Sequence, residues 1–202
     1  MRKTAEDAER TRLSILDAAE LLFLENGIAH TTLERISRAA GVTRGAFYWH
    51  FKDKSELLRA LQERSDPPQA AMLRVAAEQS HGDPLQLLET ASCEFLQEVE
   101  GDVHLQHMIE IMSSNPHAGE DMALFAETNT EMHEVLSKIS RRAQDLGQLN
   151  PDFTPSEAAI ALMSMVNGLL SEWLRSNKCF KLQEVGAKLI RYQINTLKVP
   201  PT

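Results

Sequence analysis

Apolar positions recur at helical spacing along almost the whole chain, and no stretch alternates as a strand would. From Leu13 to Phe23, Ile15, Ala19, Leu22 and Phe23 fall on one side, with Asn26-Gly27 as a left-handed stop. Thr31 and Glu34 form a capping box that opens a second, short helix near Thr32, ending at Gly41. Thr43 caps a third helix through Phe51, and Asp53 with Glu56 opens a fourth that buries Leu57, Leu58 and Leu61. Pro67-Pro68 interrupts that pattern. With Asp66 before it and Gln69 behind, the pair reads as a fresh helix start, so the fourth element is kinked or broken rather than one rigid rod.

Downstream, Asp83-Pro84 starts a helix that runs to about Val99, Gly101-Asp102 breaks it, and His104 to Ser113 forms a short one before Asn115-Pro116. A long helix from about Glu120 to Asp145 carries Met122, Phe125, Met132, Leu136 and Ile139 on one side, with Gly147 as terminator. The box Thr154-Pro155-Ser156-Glu157 opens a helix to about Ser176. Between Ile160 and Trp173 it is apolar on more than one face, so it needs cover on two sides. The last helix, about Leu182 to Leu197, is amphipathic through Val185, Leu189, Tyr192 and Ile194. The pattern is that of an all-α protein.

Composition agrees with the pattern and narrows the function. At 202 residues, 43% hydrophobic and 25% charged, the chain is long enough for one domain or two small ones, and too apolar to be disordered. No apolar run approaches the roughly 18 residues of a membrane span, and the charged stretch from Met1 to Arg12 lacks the apolar core of a signal peptide, which points to the cytoplasm. Cys93 and Cys179 lie far apart and make neither a CxxC nor a disulfide framework. The net charge of −8 is unevenly spread: residues 1–64 hold 11 Lys or Arg against 10 Asp or Glu, and all of the acidic excess lies beyond them. Residues 30–64 carry a local positive excess, 7 basic against 4 acidic, a modest footprint for a polyanion that the motif must decide.

That region holds two short helices joined by Gly41-Val42-Thr43, the compact arrangement a helix-turn-helix requires. Ile36, Ala40, Val42 and Phe47 fall where the pair packs on the first helix, which leaves Thr43, Arg44, Gly45, Tyr48, Trp49 and His50 on or beside the outward face. Arg44 can fork onto a guanine edge, Thr43 and Tyr48 can donate to phosphates, Gly45 permits close backbone approach, and Lys54 adds a point charge. Thr32 joins this DNA-binding set at the start of the second helix. The competing reading takes Phe47, Tyr48, Trp49 and Phe51 simply as core aromatics.

Residues 31–57, TTLERISRAAGVTRGAFYWHFKDKSEL, resemble the DNA-binding region of TetR-family repressors. Ser37 departs from the more usual Ala, a small change because its hydroxyl can bond back to its own helix. Gly82-Asp83-Pro84-Leu85, Met108-Ile109-Glu110-Ile111-Met112, Gly168-Leu169-Leu170-Ser171-Glu172-Trp173-Leu174 and Phe180-Lys181-Leu182 are similar to the AcrR-like branch, which represses multidrug efflux pumps. The resemblance implies about nine helices, with a DNA-binding domain in residues 1–53 and a ligand-binding and dimerisation domain in 54–202. It further implies a homodimer through the last two helices, operator DNA and a small lipophilic ligand as partners, and no cofactor.

Seven of the eight methionines lie beyond residue 70, an adaptable apolar supply for a binding cavity, although ordinary core packing uses the same residues. The candidate lining is Leu88, Ala91, Phe95, Ile109, Met112, Met163, Val166, Asn167 and Leu170, with Asn167 as the polar group that a mostly apolar helix must pair. An enzyme is disfavoured: the chain has no nucleophile elbow, phosphate-cradling glycine loop or HExxH. Two rivals stay open. One is a metal-responsive helix-turn-helix regulator, because His104, His107 and Glu110 recur at three-residue steps with His117 and His133 nearby in sequence. The other is a regulator of a metabolic operon with one specific ligand.

Overall fold

The computed structural model describes residues 5–79, 82–114 and 123–200. Among them are ten helices: α1 (Ala5–Asn26), α2 (Leu33–Ala39), α3 (Arg44–His50), α4 (Lys54–Arg64), α5 (Pro68–Glu78), α6 (Pro84–Gly101), α7 (Val103–Ser114), α8 (Ala123–Asp145), α9 (Pro155–Arg175) and α10 (Leu182–Leu197). The only strand-like pairing among the described residues is a single antiparallel bridge between Leu149 and Lys198. The expected start of α8 at Glu120 with Met122, and the break at Asn115-Pro116, lie outside the described residues. The chain divides into two compact units, Met1–Ser65 with His107–Ala126, and Asp66–Gln106 with Glu127–Thr202.

The first unit is built on α1, which buries Ile15, Leu16, Ala19, Glu20 and Phe23 on one face. It begins two turns earlier than apolar spacing indicates, because residues 5–12 carry no large apolar side chain, and hydrophobic periodicity cannot report such a turn. Gly27 stops it at φ 76° as expected. The α2 cap, however, is Thr32 rather than Thr31: the Thr32 hydroxyl accepts from Arg35 N at 3.3 Å. Thr31 is fully buried, and its one hydroxyl proton is shared between the carbonyls of Gly27 (2.8 Å) and Leu22 (3.1 Å), which ties the loop back onto the end of α1.

After α2, Gly41 at φ 67° closes a left-handed turn in which Val42 N donates to Ser37 O at 3.0 Å, and this turns the chain into α3. Ser37 Oγ donates back to Leu33 O at 2.8 Å, so its hydroxyl is satisfied within its own helix. Asp53 caps α4 by accepting from Glu56 N at 2.7 Å, and α4 buries Leu57, Leu58 and Leu61 in the core shared with Phe23, Phe47 and Phe51. That burial places α4 in the first compact unit, which runs to Ser65. The break at the prolines is real: α4 ends at Arg64, and α5 starts afresh at Pro68 behind Pro67.

In the second unit, α6 lies along α10 and α5, and α9 also packs on α10. Gly186 of α10 leaves room for α6, since a Cβ there would collide with the buried Leu96 side chain. Charged side chains clasp α5 to α8: Arg74 reaches Glu131 (2.7 Å) as well as Asp66 (2.9 Å), Lys138 reaches Glu78 (2.8 Å), and Arg142 donates to the carbonyl of Gln79. The Thr154–Glu157 capping box forms at the start of α9. The Thr154 backbone N–H, and then its hydroxyl, hold the Glu157 carboxyl below its ordinary range.

Candidate functional site

Thr43 begins the outward-facing helix by accepting from Ala46 N at 3.1 Å, which aims the first turn of α3 away from the core. Phe47 and Phe51 point inward and are 0% and 2% exposed, whereas Tyr48 and Trp49 are 43% and 72% exposed. This division settles the competing reading of the aromatics: two belong to the core and two to the surface. Arg44 and Gly45 are exposed, and no atom comes within 4 Å of where a Gly45 side chain would begin. The Arg44 guanidinium lies 5.6 Å from the Tyr48 ring centroid, one turn on, so the cation is held along the helix face. Trp49 and the half-buried His50 stack edge to face at 4.6 Å.

Thr32 is exposed beside this face, and its hydroxyl already serves as the α2 cap while keeping a proton to donate. Lys54 is less independent than the sequence suggests: it is half-buried, and its ammonium donates to Ile28 O at 2.9 Å, tying the start of α4 to the loop after α1. Arg35, which the sequence reading did not select, is fixed by its Nη2 donating to Asn26 Oδ1 at 3.2 Å and lies exposed next to Thr32 in the fold of α2.

A second arrangement in this unit had no sequence signal. The buried carboxylate of Glu20 on α1 binds the Arg64 guanidinium from the last turn of α4 and lies 2.6 Å from His107 Nδ1 of α7. Arg64 also donates to Asp17 Oδ1 at 2.6 Å. Residues 20, 64 and 107 share no helix, so neither spacing nor composition could have joined them.

Family models match two regions: residues 15–61 fit "Bacterial regulatory proteins, tetR family", and residues 83–199 fit "MAATS-type transcriptional repressor, C-terminal region". The HTH-type transcriptional repressor BepR of Brucella suis biovar 1 (strain 1330) is 35% identical over 204 residues, covering 99% of this chain and 98% of BepR. The chain belongs to the TetR family. Among solved structures, NalD, the secondary repressor of the MexAB-OprM multidrug efflux pump in Pseudomonas aeruginosa, is 33% identical with a TM-score of 0.81, covering 96% of this chain and 98% of NalD. A SmeT–triclosan complex is 34% identical, also with a TM-score of 0.81, covering 94% and 92%.

Within this TetR-family fold the candidate ligand residues divide. Leu88, Ala91 and Leu170 are buried in the second unit, with Phe95, Met163 and Val166 half-buried there, whereas Ile109 and Met112 are half-buried in the first unit. Asn167 corrects the sequence reading. It is exposed, on a stripe of α9 with Ile160, Ser164, Gly168 and Ser171, because helical phase carries it to the outer side away from Leu162 and Leu169. Val185, Leu189 and Tyr192 form a matching exposed apolar stripe on α10. Trp173 is internal, 3% exposed, with its indole N–H donating to Phe180 O at 2.9 Å. Among the described residues, no three His, Cys, Asp or Glu side chains converge as a metal site; His107 faces Glu20, and His117 lies outside the described residues. No helix among the described residues is long and apolar enough to cross a membrane.

Proposed function

We propose that this TetR-family chain is a cytoplasmic, ligand-responsive repressor that binds a near-palindromic operator as a homodimer, controls a multidrug efflux pump operon and is released by small lipophilic inducers. The observation that carries this reading is full-length similarity at 33–35% identity to BepR and to an efflux-pump repressor, joined to an α3 face that leaves Arg44, Gly45, Tyr48 and Trp49 outward. Each α3 enters a major groove: Arg44 reads a base edge, Thr32, Thr43 and Tyr48 hold phosphates, Trp49 and His50 pack against the backbone, and Lys54 adds charge at the flank. Residues 1–53 carry DNA binding, α4 links onward, and the region to 202 carries ligand binding and dimerisation. The exposed apolar stripe of α10 and the exposed, mostly small and polar face of α9 pair with their copies in a second subunit. Leu88, Ala91, Phe95, Met163, Val166 and Leu170 supply the apolar lining for an inducer in the second unit. The protein acts by binding rather than catalysis.

The test is binding to the DNA upstream of its own gene at about 150 mM salt with excess competitor, repeated with a panel of lipophilic compounds that includes triclosan. Dimeric binding that some compounds weaken is the expected result, with a coupling of about 1–3 kcal/mol. Because the coupling is reciprocal, operator DNA must weaken inducer binding by the same factor. Absence of specific DNA binding, or an inducer that binds equally with and without operator, overturns the reading.

A further inference from the structure

The first turn of any α-helix carries backbone N–H groups with no partner inside the helix, and a side chain at the N-cap usually supplies one. On α10 the N-cap is Lys181, whose side chain makes no capping hydrogen bond. The acceptors come from another helix. Glu100, at the end of α6, spreads its carboxylate over the first turn: Oε1 accepts from Leu182 N and Oε2 from Gln183 N, each at 3.2 Å. A negative charge at this position also complements the positive end of the α10 dipole.

The turn entering α10 is fixed as firmly. Asn177 and Lys178 follow one another with φ of 54° and 59°, a left-handed conformation costly for residues with side chains. Lys178 N donates to Trp173 O at 2.8 Å, and its ammonium sits 5.4 Å from the Trp173 ring centroid while donating to Gln106 Oε1 at 2.6 Å. The buried Gln106 amide in turn donates to Val99 O (2.7 Å) and Glu100 O (3.2 Å), the carbonyls that α6 leaves unpaired at its end. Along its length, α6 then meets α10 in antiparallel register: Glu100 at the first turn, Leu96 at Gly186, and Glu89 at Arg191, 3.4 Å away.

We propose that Glu100 is a positioning residue for dimerisation: it caps α10 from α6, while Gln106 and Lys178 hold the entering turn, so that the Val185–Leu189–Tyr192 stripe is presented in one orientation. The inference rests on the reading that α9 and α10 form the dimer interface. Without the cap the first turn of α10 frays, Val185 loses its fixed place at the head of the stripe, and the subunits associate less tightly.

The experiment compares full-length wild type, Glu100→Ala, Glu100→Gln and the double variant Glu100→Ala with Lys181→Ser, by hydrogen exchange at single amides and by sedimentation across concentration. In Glu100→Ala the Leu182 and Gln183 amides exchange about fivefold faster, and the dimer dissociation constant rises about five- to thirtyfold. Glu100→Gln keeps one acceptor and falls between, which preserves the test if the alanine variant does not fold. Lys181→Ser supplies an acceptor from within α10 for the Gln183 or Glu184 amide and restores the dimer constant while Leu182 stays fast, which general damage to α6 would not allow. Unchanged exchange at these two amides overturns the capping role. Faster exchange with an unchanged dimer constant, or failure of Lys181→Ser to restore it, overturns the positioning role. A wild type that sediments as a monomer throughout overturns the dimer reading itself, while the exchange arm still reports the cap.

Discussion

Single residues in this protein show how much of a side chain's role is decided by what else its polar atoms must do. Thr31 and Thr32 are chemically identical neighbours, yet one is buried tying the loop back onto the end of α1 and the other caps α2 at the surface beside the recognition helix. Arg44 and Lys54 are likewise both cations, but Arg44 lies exposed along Tyr48, whereas Lys54 is bound to Ile28 O. Their replacement therefore has different consequences on DNA. Arg44→Ala costs about 1–3 kcal/mol on operator and relaxes preference at one base pair, while Lys54→Ala weakens all sequences alike and lowers the salt slope by about one. Competition binding on operator and random duplexes across salt separates the two, and equal losses on both duplexes for Arg44→Ala contradict a base contact. Glu20 is the opposite case, a charge kept inside because Arg64 and His107 meet it there.

Helices that packing alone stabilises carry their tolerance in a few contact points. At Gly186 the helix-propensity argument and the packing argument oppose one another. Alanine in a helix is favoured over glycine by about 1 kcal/mol, but its methyl group would enter the space of Leu96, which is 0% exposed and has no solvent to move into. Overpacking of this kind costs about 1–3 kcal/mol, so Gly186→Ala is expected to lower stability in chemical denaturation, and a raised midpoint would refute the close approach of α6 and α10. The proline pair acts at the same scale: by ending one helix and opening another it separates α4, which folds with the N-terminal core, from α5, which α8 clasps through Arg74, Lys138 and Arg142.

For the molecule as a whole, the exposed apolar residues are unevenly placed. Tyr192 is 65% exposed and Ile160 52%, each within a stripe on α10 or α9 that has no cover inside its own subunit. Tyr192→Asp is expected to shift the sedimentation profile toward monomer at low concentration without loss of helical content, and to weaken operator binding steeply, because two half-sites must be held at once. An unchanged profile would remove α10 from the interface. Trp173 does not belong to this set: its indole N–H is held internally by the turn that leads into α10.

Local periodicity, capping chemistry and backbone restriction are enough to set the helical class, nearly every helix and its stop, the helix-turn-helix and the break at Pro67-Pro68, while the family was legible as a resemblance of residues 31–57. The turn at Gly41 sets the phase of α3, but only burial separates Phe47 and Phe51 from Tyr48 and Trp49. Tertiary structure alone decided which threonine caps α2, that α4 folds with the N-terminal core, that Asn167 faces outward, and that Glu20 and Glu100 serve helices far from their own. In each of these a polar atom or an apolar face is satisfied by a partner distant in sequence, and that partner exists only once the helices have packed.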